Sequence, residues 1–287
     1  MVETGEVNYC NAIGSPLVSI GIPTYNRPDG LRRTLECITN QTYKNLEIIV
    51  SDNCSPDTNV ASVVKKFMQN DPRIHYYRQE KNIGLAANFR FVLEKATGEY
   101  FLWAADDDIH EREFIRCLVE PLEKNPEVLG AMCSTKRIDE GGKLIDVIRF
   151  SEVSNPLSAP YHIELTFFFH GVFRTMGIRR YMEDTTEIFG LDLIIVCEMI
   201  LTSKLVWINH VLFTKGFDRP KNSRIFNSDP LCWVKMAYNF PIYLLKSKNI
   251  TTKNKLLVIP MSLVFLVWVI KLYVGHLIYL VIGNPRL

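Results

Sequence analysis

The chain has no Gly-x-Gly-x-x-Gly after its first strand-like segment and no Gly-x-x-x-x-Gly-Lys-Ser/Thr anywhere. These absences exclude a dinucleotide fingerprint and a Walker phosphate loop. Seven cysteines are scattered among 287 residues without a Cys-x-x-Cys pair. An odd, dispersed set argues against a disulfide framework and a zinc site, and it suits a reducing compartment. A net charge of only +2 gives no bulk attraction to nucleic acid, and no nucleic-acid partner is expected. There is no internal repeat and no low-complexity tract. The N-terminus lacks a basic flank followed by an apolar stretch, so no signal peptide is expected and the cytoplasmic side is the default location.

What is present centres on Tyr100 to His110, where an apolar run from Tyr100 to Ala105 stops at Asp106, Asp107 and Asp108. The run reads as a strand buried on both faces. Three adjacent carboxylates repel one another. A divalent cation, Mg²⁺ or Mn²⁺, would relieve that repulsion through oxygen ligands. The local sequence equally allows an acidic turn capping a helix that begins near Glu111, because Asp is a good N-cap.

Upstream the chain alternates strand and helix. Leu17 to Ile22 is a short apolar strand ending at Pro23-Thr24-Tyr25-Asn26-Arg27, followed by a helix over about 29–39 with Leu31, Leu35 and Ile38 on one face. Leu46 to Val50 ends in the polar turn Ser51 to Asp57, a helix carries Val60, Val64 and Phe67, and Ile74 to Tyr77 leads to Asn82-Ile83-Gly84. A helix over 85–95 precedes the acidic strand. This alternation predicts a parallel sheet with helices on both faces, and ligands of such sheets sit beyond the carboxyl ends of the strands.

Pro23 to Arg27, Val50-Ser51-Asp52-Asn53 with Ser55 and Asp57, Asn82-x-Gly84 with Asn88, and Gly98 to Trp103 before the aspartates resemble, in order and spacing, the family 2 glycosyltransferases over about 17–136. The resemblance implies a GT-A nucleotide-diphospho-sugar transferase fold: a Rossmann-like, mostly parallel α/β sheet flanked by helices. It implies inverting transfer from a nucleotide diphosphate sugar, with a divalent cation as cofactor. By the same resemblance Pro23, Thr24, Tyr25, Arg27, Asp52, Asn82, Gly84 and Asp106 line the nucleotide sugar, Asp52 reaching the base, while Asp107 and Asp108 hold the metal. One departure is plain: where the family has the first aspartate of its acidic motif, this chain has Ala105. Ala87 likewise stands where an arginine is frequent.

In the second half, Val128 to Cys133 is expected to be a strand, residues 137–146 a hairpin around Gly141-Gly142, and Phe169 to Arg174 resembles the segment bordering the sugar. Gly190-Leu191-Asp192 opens an apolar helix. An acceptor hydroxyl must lose its proton as it attacks, which requires a general base. The resemblance points to Asp192 for that role; as a residue type it would also serve as an N-cap. The basic stretch 215–224 suits a diphosphate. From Leu256 to Ile282 the chain is almost wholly apolar, preceded by Lys246, Lys248, Lys253 and Lys255. A central Lys271 disfavours a simple span, so two helices at a membrane interface, broken around Lys271 to Gly275, are expected.

The expected organisation is a loose arm at 1–16, a nucleotide-sugar half at 17–136, an acceptor half at 137–228 and a helical, membrane-associated region at 229–287. The expected activity is sugar transfer to a saccharide, lipid-linked given the tail, in cell-surface polysaccharide or glycolipid assembly. A polyprenyl-phosphate sugar synthase and an inactive nucleotide-sugar-binding scaffold are the alternatives.

Overall fold

The computed structural model describes residues 14–106, 108–139, 141–149, 169–183, 190–215 and 231–282, with backbone alone at 231–234, 236, 268 and 271–282. The first half alternates as its patterning requires: β1 (Val18–Thr24), α1 (Pro28–Thr39), β2 (Leu46–Asp52), α2 (Asn59–Met68), β3 (Ile74–Arg78), α3 (Leu85–Lys95) and β4 (Tyr100–Trp103). Every residue of β1 and β4 is buried, which is why both read as unbroken apolar runs rather than alternating ones. In α1 a proline at the first turn starts the helix. Its Leu31, Leu35 and Ile38 are fully buried, each worth about 1.5–3 kcal/mol of apolar transfer.

The second half contains β5 (Asp108–His110), α4 (Phe114–Lys124), β6 (Val128–Ile138), β7 (Leu144–Ile148), β8 (Val172–Arg174), α5 (Thr175–Met182), α6 (Leu191–Thr202), β9 (Lys204–Lys215), α7 (Leu231–Lys246) and α8 (Thr252–Ile282). Its strands join the same sheet, whose order is β3-β2-β1-β4-β8-β6-β9-β5, with β7 paired to β6. Strands β1 to β4 run parallel to one another, whereas β8 returns antiparallel beside β4, and β5 is antiparallel to β9. The sheet is thus mixed rather than wholly parallel. Parallel pairing needs a long crossover, and that is what the helices of the first half supply. The order grows outward from β1 to β3 and then reverses to β4 on the other side of β1. That reversal opens a crevice at the carboxyl ends of β1 and β4, the usual ligand position in such sheets.

Three local expectations are corrected. The apolar run stops as a strand at Trp103, and Ala104 and Ala105 belong to the turn. The acidic turn caps no helix: α4 begins at Phe114 behind Glu113, and Asp108 instead opens β5. The C-terminal region is broken at Ser247–Thr251, between α7 and α8, and not around Lys271, through which α8 continues. At that upstream break Ser247 Oγ accepts the Asn249 N–H at 3.0 Å, giving the chain a local alternative to the helical ladder. The hairpin around Gly141-Gly142 forms as expected, joining β6 to β7.

Candidate functional site

Strand register brings three polar residues level with one another. Thr24 pairs with Asp52, and Asp52 pairs with Arg78, at the carboxyl ends of β1, β2 and β3. The Asp52 side chain is fully buried. Its Oδ1 accepts the Ser55 N–H at 2.8 Å, and its Oδ2 accepts from Tyr76 Oη at 2.9 Å and Arg78 Nη1 at 2.8 Å. Burial, and then the bond to Asp52, push the Tyr76 phenol well above its ordinary pKa, so it remains a donor. A carboxylate held by a charged and two neutral donors can be buried at low cost.

The turns beside this row are shaped by left-handed residues. Asn26 and Cys54 both adopt positive φ, 57° and 62°, and the Asn26 N–H donates to Ser55 Oγ at 2.8 Å, stitching the ends of β1 and β2 together. Asn53 bridges to the next loop: its Nδ2 donates to Asn82 Oδ1 and to the Gly84 carbonyl, both at 3.1 Å, and its Oδ1 accepts the Ile83 N–H at 2.8 Å. Gly84, at φ +87°, occupies a conformation that an L side chain would strain as it leads into α3. Asn82 and Gly84 are therefore brought to the Asp52 turn, as expected.

On the other side of the crevice Asp106 is clamped by the first loop. Thr24 Oγ1 donates to its Oδ2 and Arg27 Nη1 to its Oδ1, each at 2.8 Å. Helix α1 presses on the same turn: a Cβ at Gly30 would lie 2.0 Å from the Asp106 carbonyl oxygen. Tyr25 is 45% exposed at the mouth of the crevice, while Pro23 is buried within β1. Pro23, Thr24, Tyr25, Arg27, Asp52, Asn82, Gly84 and Asp106 thus come from the carboxyl ends of four strands, β1 to β4. Asp107 lies outside the described residues.

Asp108 has other partners. It faces Lys215 in the β5–β9 pair, with Lys215 Nζ 2.8 Å from Oδ1 and His170 Nδ1 3.3 Å from Oδ2. Burial first, then Lys215, depress both neighbouring imidazoles: His110 falls to about 3 and His170 lies well below its ordinary value. Both histidines are therefore neutral near pH 7, and Lys215 is the cation that balances Asp108. Lys215, first of the basic stretch 215–224, is spent on this pair; residues 216–224 lie outside the described residues.

Asp192 occupies the first turn of α6, exposed, with Oδ1 accepting the Leu193 N–H at 2.9 Å; the N-cap position belongs to Gly190. Upstream of it Glu183 stands exposed at the C-cap of α5, and residues 184 and 187 lie outside the described residues. Glu198 is buried and hydrogen-bonded to Asn249 Nδ2 at 2.8 Å. A cavity of about 410 Å³ lies beside it, lined among others by Arg180, Tyr243, Lys246 and Lys248, and shares no residue with the crevice.

The donor set of the acidic turn suits a hard divalent ion in chemistry, since it offers carboxylate oxygens. Yet Asp106 and Asp108 already face internal cations, and no group of three metal-ligating side chains forms among the described residues. Sequence reasoning missed Tyr76 and Arg78, and it read Lys215 as part of a basic stretch rather than as the partner of Asp108. The first two follow an apolar strand pattern to its polar end, and only the pairing register reveals what they hold.

Residues 19–185 match the model of glycosyl transferase family 2. An uncharacterized glycosyltransferase of Rickettsia bellii is 32% identical over 137 residues, covering 48% of this chain and 19% of that protein. The GalNAc(5)-diNAcBac-PP-undecaprenol beta-1,3-glucosyltransferase of Campylobacter jejuni is 39% identical over 94 residues, covering 32% of this chain and 30% of its own. The chain thus spans less than a third of the length of these two relatives. In three dimensions it is similar to the mannosyltransferase PcManGT of Pyrobaculum calidifontis, solved with GDP-Man and Mn²⁺, with a TM-score of 0.64 at 17% identity over 95% of this chain and 77% of that one. It is also similar to S. aureus TarS 1-349 with UDP-GlcNAc, with a TM-score of 0.63 at 15% identity over 84% and 70%. These likenesses identify the GT-A fold, and with the family match over more than half its length the chain belongs to glycosyl transferase family 2.

Proposed function

We propose that this chain transfers a sugar from a nucleoside diphosphate sugar to a hydroxyl of a lipid-linked saccharide, with inversion at the anomeric carbon. The observation that carries the reading is the convergence at the switch point: the Asp52 row on one side of the crevice and the Thr24–Asp106–Arg27 clamp on the other. The base and ribose are bound along Thr24, Tyr25 and Asp52, and Asn53 fixes the loop carrying Asn82 and Gly84 against them. Asp107 would hold a divalent cation, whose chemistry there would be to offset negative charge on the departing diphosphate. Asp192 takes the acceptor proton as the new C–O bond forms and the bond to the diphosphate breaks. Support for the acceptor class comes from the Campylobacter relative, whose name specifies an undecaprenol-diphosphate-linked glycan.

Calorimetric titration against a panel of nucleoside diphosphates and their sugars, with and without Mn²⁺, tests the donor side. One nucleotide should bind in a Mn²⁺-dependent manner, and Asp107→Ala should abolish that dependence. Binding of none of them overturns the reading. Asp192→Asn should keep donor affinity and lower turnover about 10²-fold or more. Unchanged turnover would instead favour transfer to a phosphate, which needs no base, and donor binding without turnover or hydrolysis in the unaltered chain would leave only a scaffold.

A further inference from the structure

Helix α8 is apolar on two opposite faces, and among the described residues only one of them is covered. At about 100° per residue, Val258, Met261, Phe265 and Val269 share one face; they are buried, with Phe265 stacked on Phe240 of α7 at 4.5 Å. Leu256, Ile259, Leu263, Leu266, Val267 and Ile270 fall on the opposite face and are 44–72% exposed. This stripe runs for about 21 Å. A contiguous exposed apolar stripe of this length marks an interaction surface.

Its surroundings identify the occupant. Between Leu231 and Ile282 the sequence contains Lys235, Lys246, Lys248, Lys253, Lys255 and Lys271, and no Asp or Glu. By the same angular count, Lys253 and Lys255 flank the stripe at its amino-terminal end. Lys246 and Lys248 stand exposed at the α7–α8 turn and line the 410 Å³ cavity, where Arg180 and the carboxylates of Glu183 and Glu198 join them. A protein partner would be expected to meet a mixed surface, whereas an apolar stripe flanked by lysines, on a segment without Asp or Glu, fits a lipid surface bearing anionic headgroups. We propose that the outward face of α8 lies in the interface of an anionic bilayer, its apolar stripe in the acyl boundary and its lysines among the phosphates. Among the described residues no helix is long and apolar enough to cross a membrane, and this mode of attachment requires none.

Vesicle flotation of the full chain, exchanged out of detergent, tests this without nucleotide or acceptor, so its outcome is independent of the catalytic reading. The protein should float with phosphatidylcholine vesicles containing phosphatidylglycerol, and weaken with added salt. Leu263→Glu should reduce that partition about ten-fold or more, because it sets a charge in the acyl boundary. Replacing Lys246, Lys248, Lys253 and Lys255 by Gln should remove the preference for anionic over neutral vesicles. Both variants alter exposed or half-exposed side chains and should retain the thermal transition of the unaltered chain, which guards against misfolding. Failure to float on anionic vesicles, or equal flotation of Leu263→Glu, overturns the proposal. So does a lipid-free dimer that Leu263→Glu converts to monomer, which would assign the face to a second copy of this chain.

Discussion

Lys215 Nζ stands 2.8 Å from Asp108 Oδ1 with side chains 13% and 0% exposed, so an acidic residue of the turn is tied to the end of β9, far along the chain. A buried pair of this kind is weak evidence for net stability, but breaking one partner leaves an uncompensated charge. Lys215→Met should cost about 3–5 kcal/mol in urea denaturation, and adding Asp108→Asn should recover most of the loss. If Asp108→Asn alone leaves stability untouched but removes Mn²⁺-dependent nucleotide binding, Asp108 is a metal ligand and the structural assignment fails.

Helix α1 approaches the Asp106 turn closely enough that a methyl at residue 30 would overlap its carbonyl oxygen. Gly30→Ala forces either the helix or the turn to move. Overpacking of this sort costs about 1–3 kcal/mol, and here the displaced element is the one that aims Asp106 at Thr24 and Arg27. The variant should both melt earlier and bind donor nucleotide more weakly. Normal affinity in a destabilised Gly30→Ala would show that the turn's position does not matter to the ligand.

The first half was legible because β1, β2 and β4 are buried almost throughout and run into polar turns at Thr24, Asp52 and Asp106, so that composition marked both the strands and their carboxyl ends. The site residues drawn from those ends do converge. What escaped was held by pairing between distant segments. β5 has three residues, too few for any periodic signal, and β8 joins β4 antiparallel through a partner that no local pattern names. Lys215 read as part of a basic loop, because nothing in residues 204–215 announces that its strand lies beside Asp108. The register of the acidic motif followed the same logic: Asp106 and Asp108 look alike in sequence and face different partners in the fold.

Asp52 is buried by virtue of its neighbours on β3. Arg78 is 46% exposed at its side chain, yet its Nη1 supplies the charged bond to a carboxylate with no solvent access. Arg78→Met should therefore lower the stability of the chain, because it leaves that buried carboxylate without its charged donor. Tyr76→Phe, removing a neutral donor to the same oxygen, should cost about 1 kcal/mol. Both should weaken nucleotide binding more than a substitution elsewhere of equal stability cost, because they release the carboxylate proposed to meet the base. Calorimetry on stability-matched variants is the check, and equal losses throughout would reduce Asp52 to a structural residue.

Glu198 shows the opposite electrostatic situation. Burial raises its pKa above the ordinary carboxyl value of 4.5, and the bonds from Ser247 and Asn249 and the Arg180 charge only partly offset that rise. Folded protein therefore holds this proton to higher pH than the unfolded chain does. Stability contributed by the neutral carboxyl is complete below the unfolded value and is lost as pH rises through the folded one. Glutamine mimics the neutral form and preserves an oxygen to accept from Asn249 Nδ2, which lies 2.8 Å away. Glu198→Gln should match the unaltered chain in melting temperature near about pH 4 and exceed it near about pH 8, the gap opening between them. A gap independent of pH, or a glutamine variant less stable at neutral pH, would mean that the carboxylate is ionised in the fold and held by Arg180 and the α7–α8 turn.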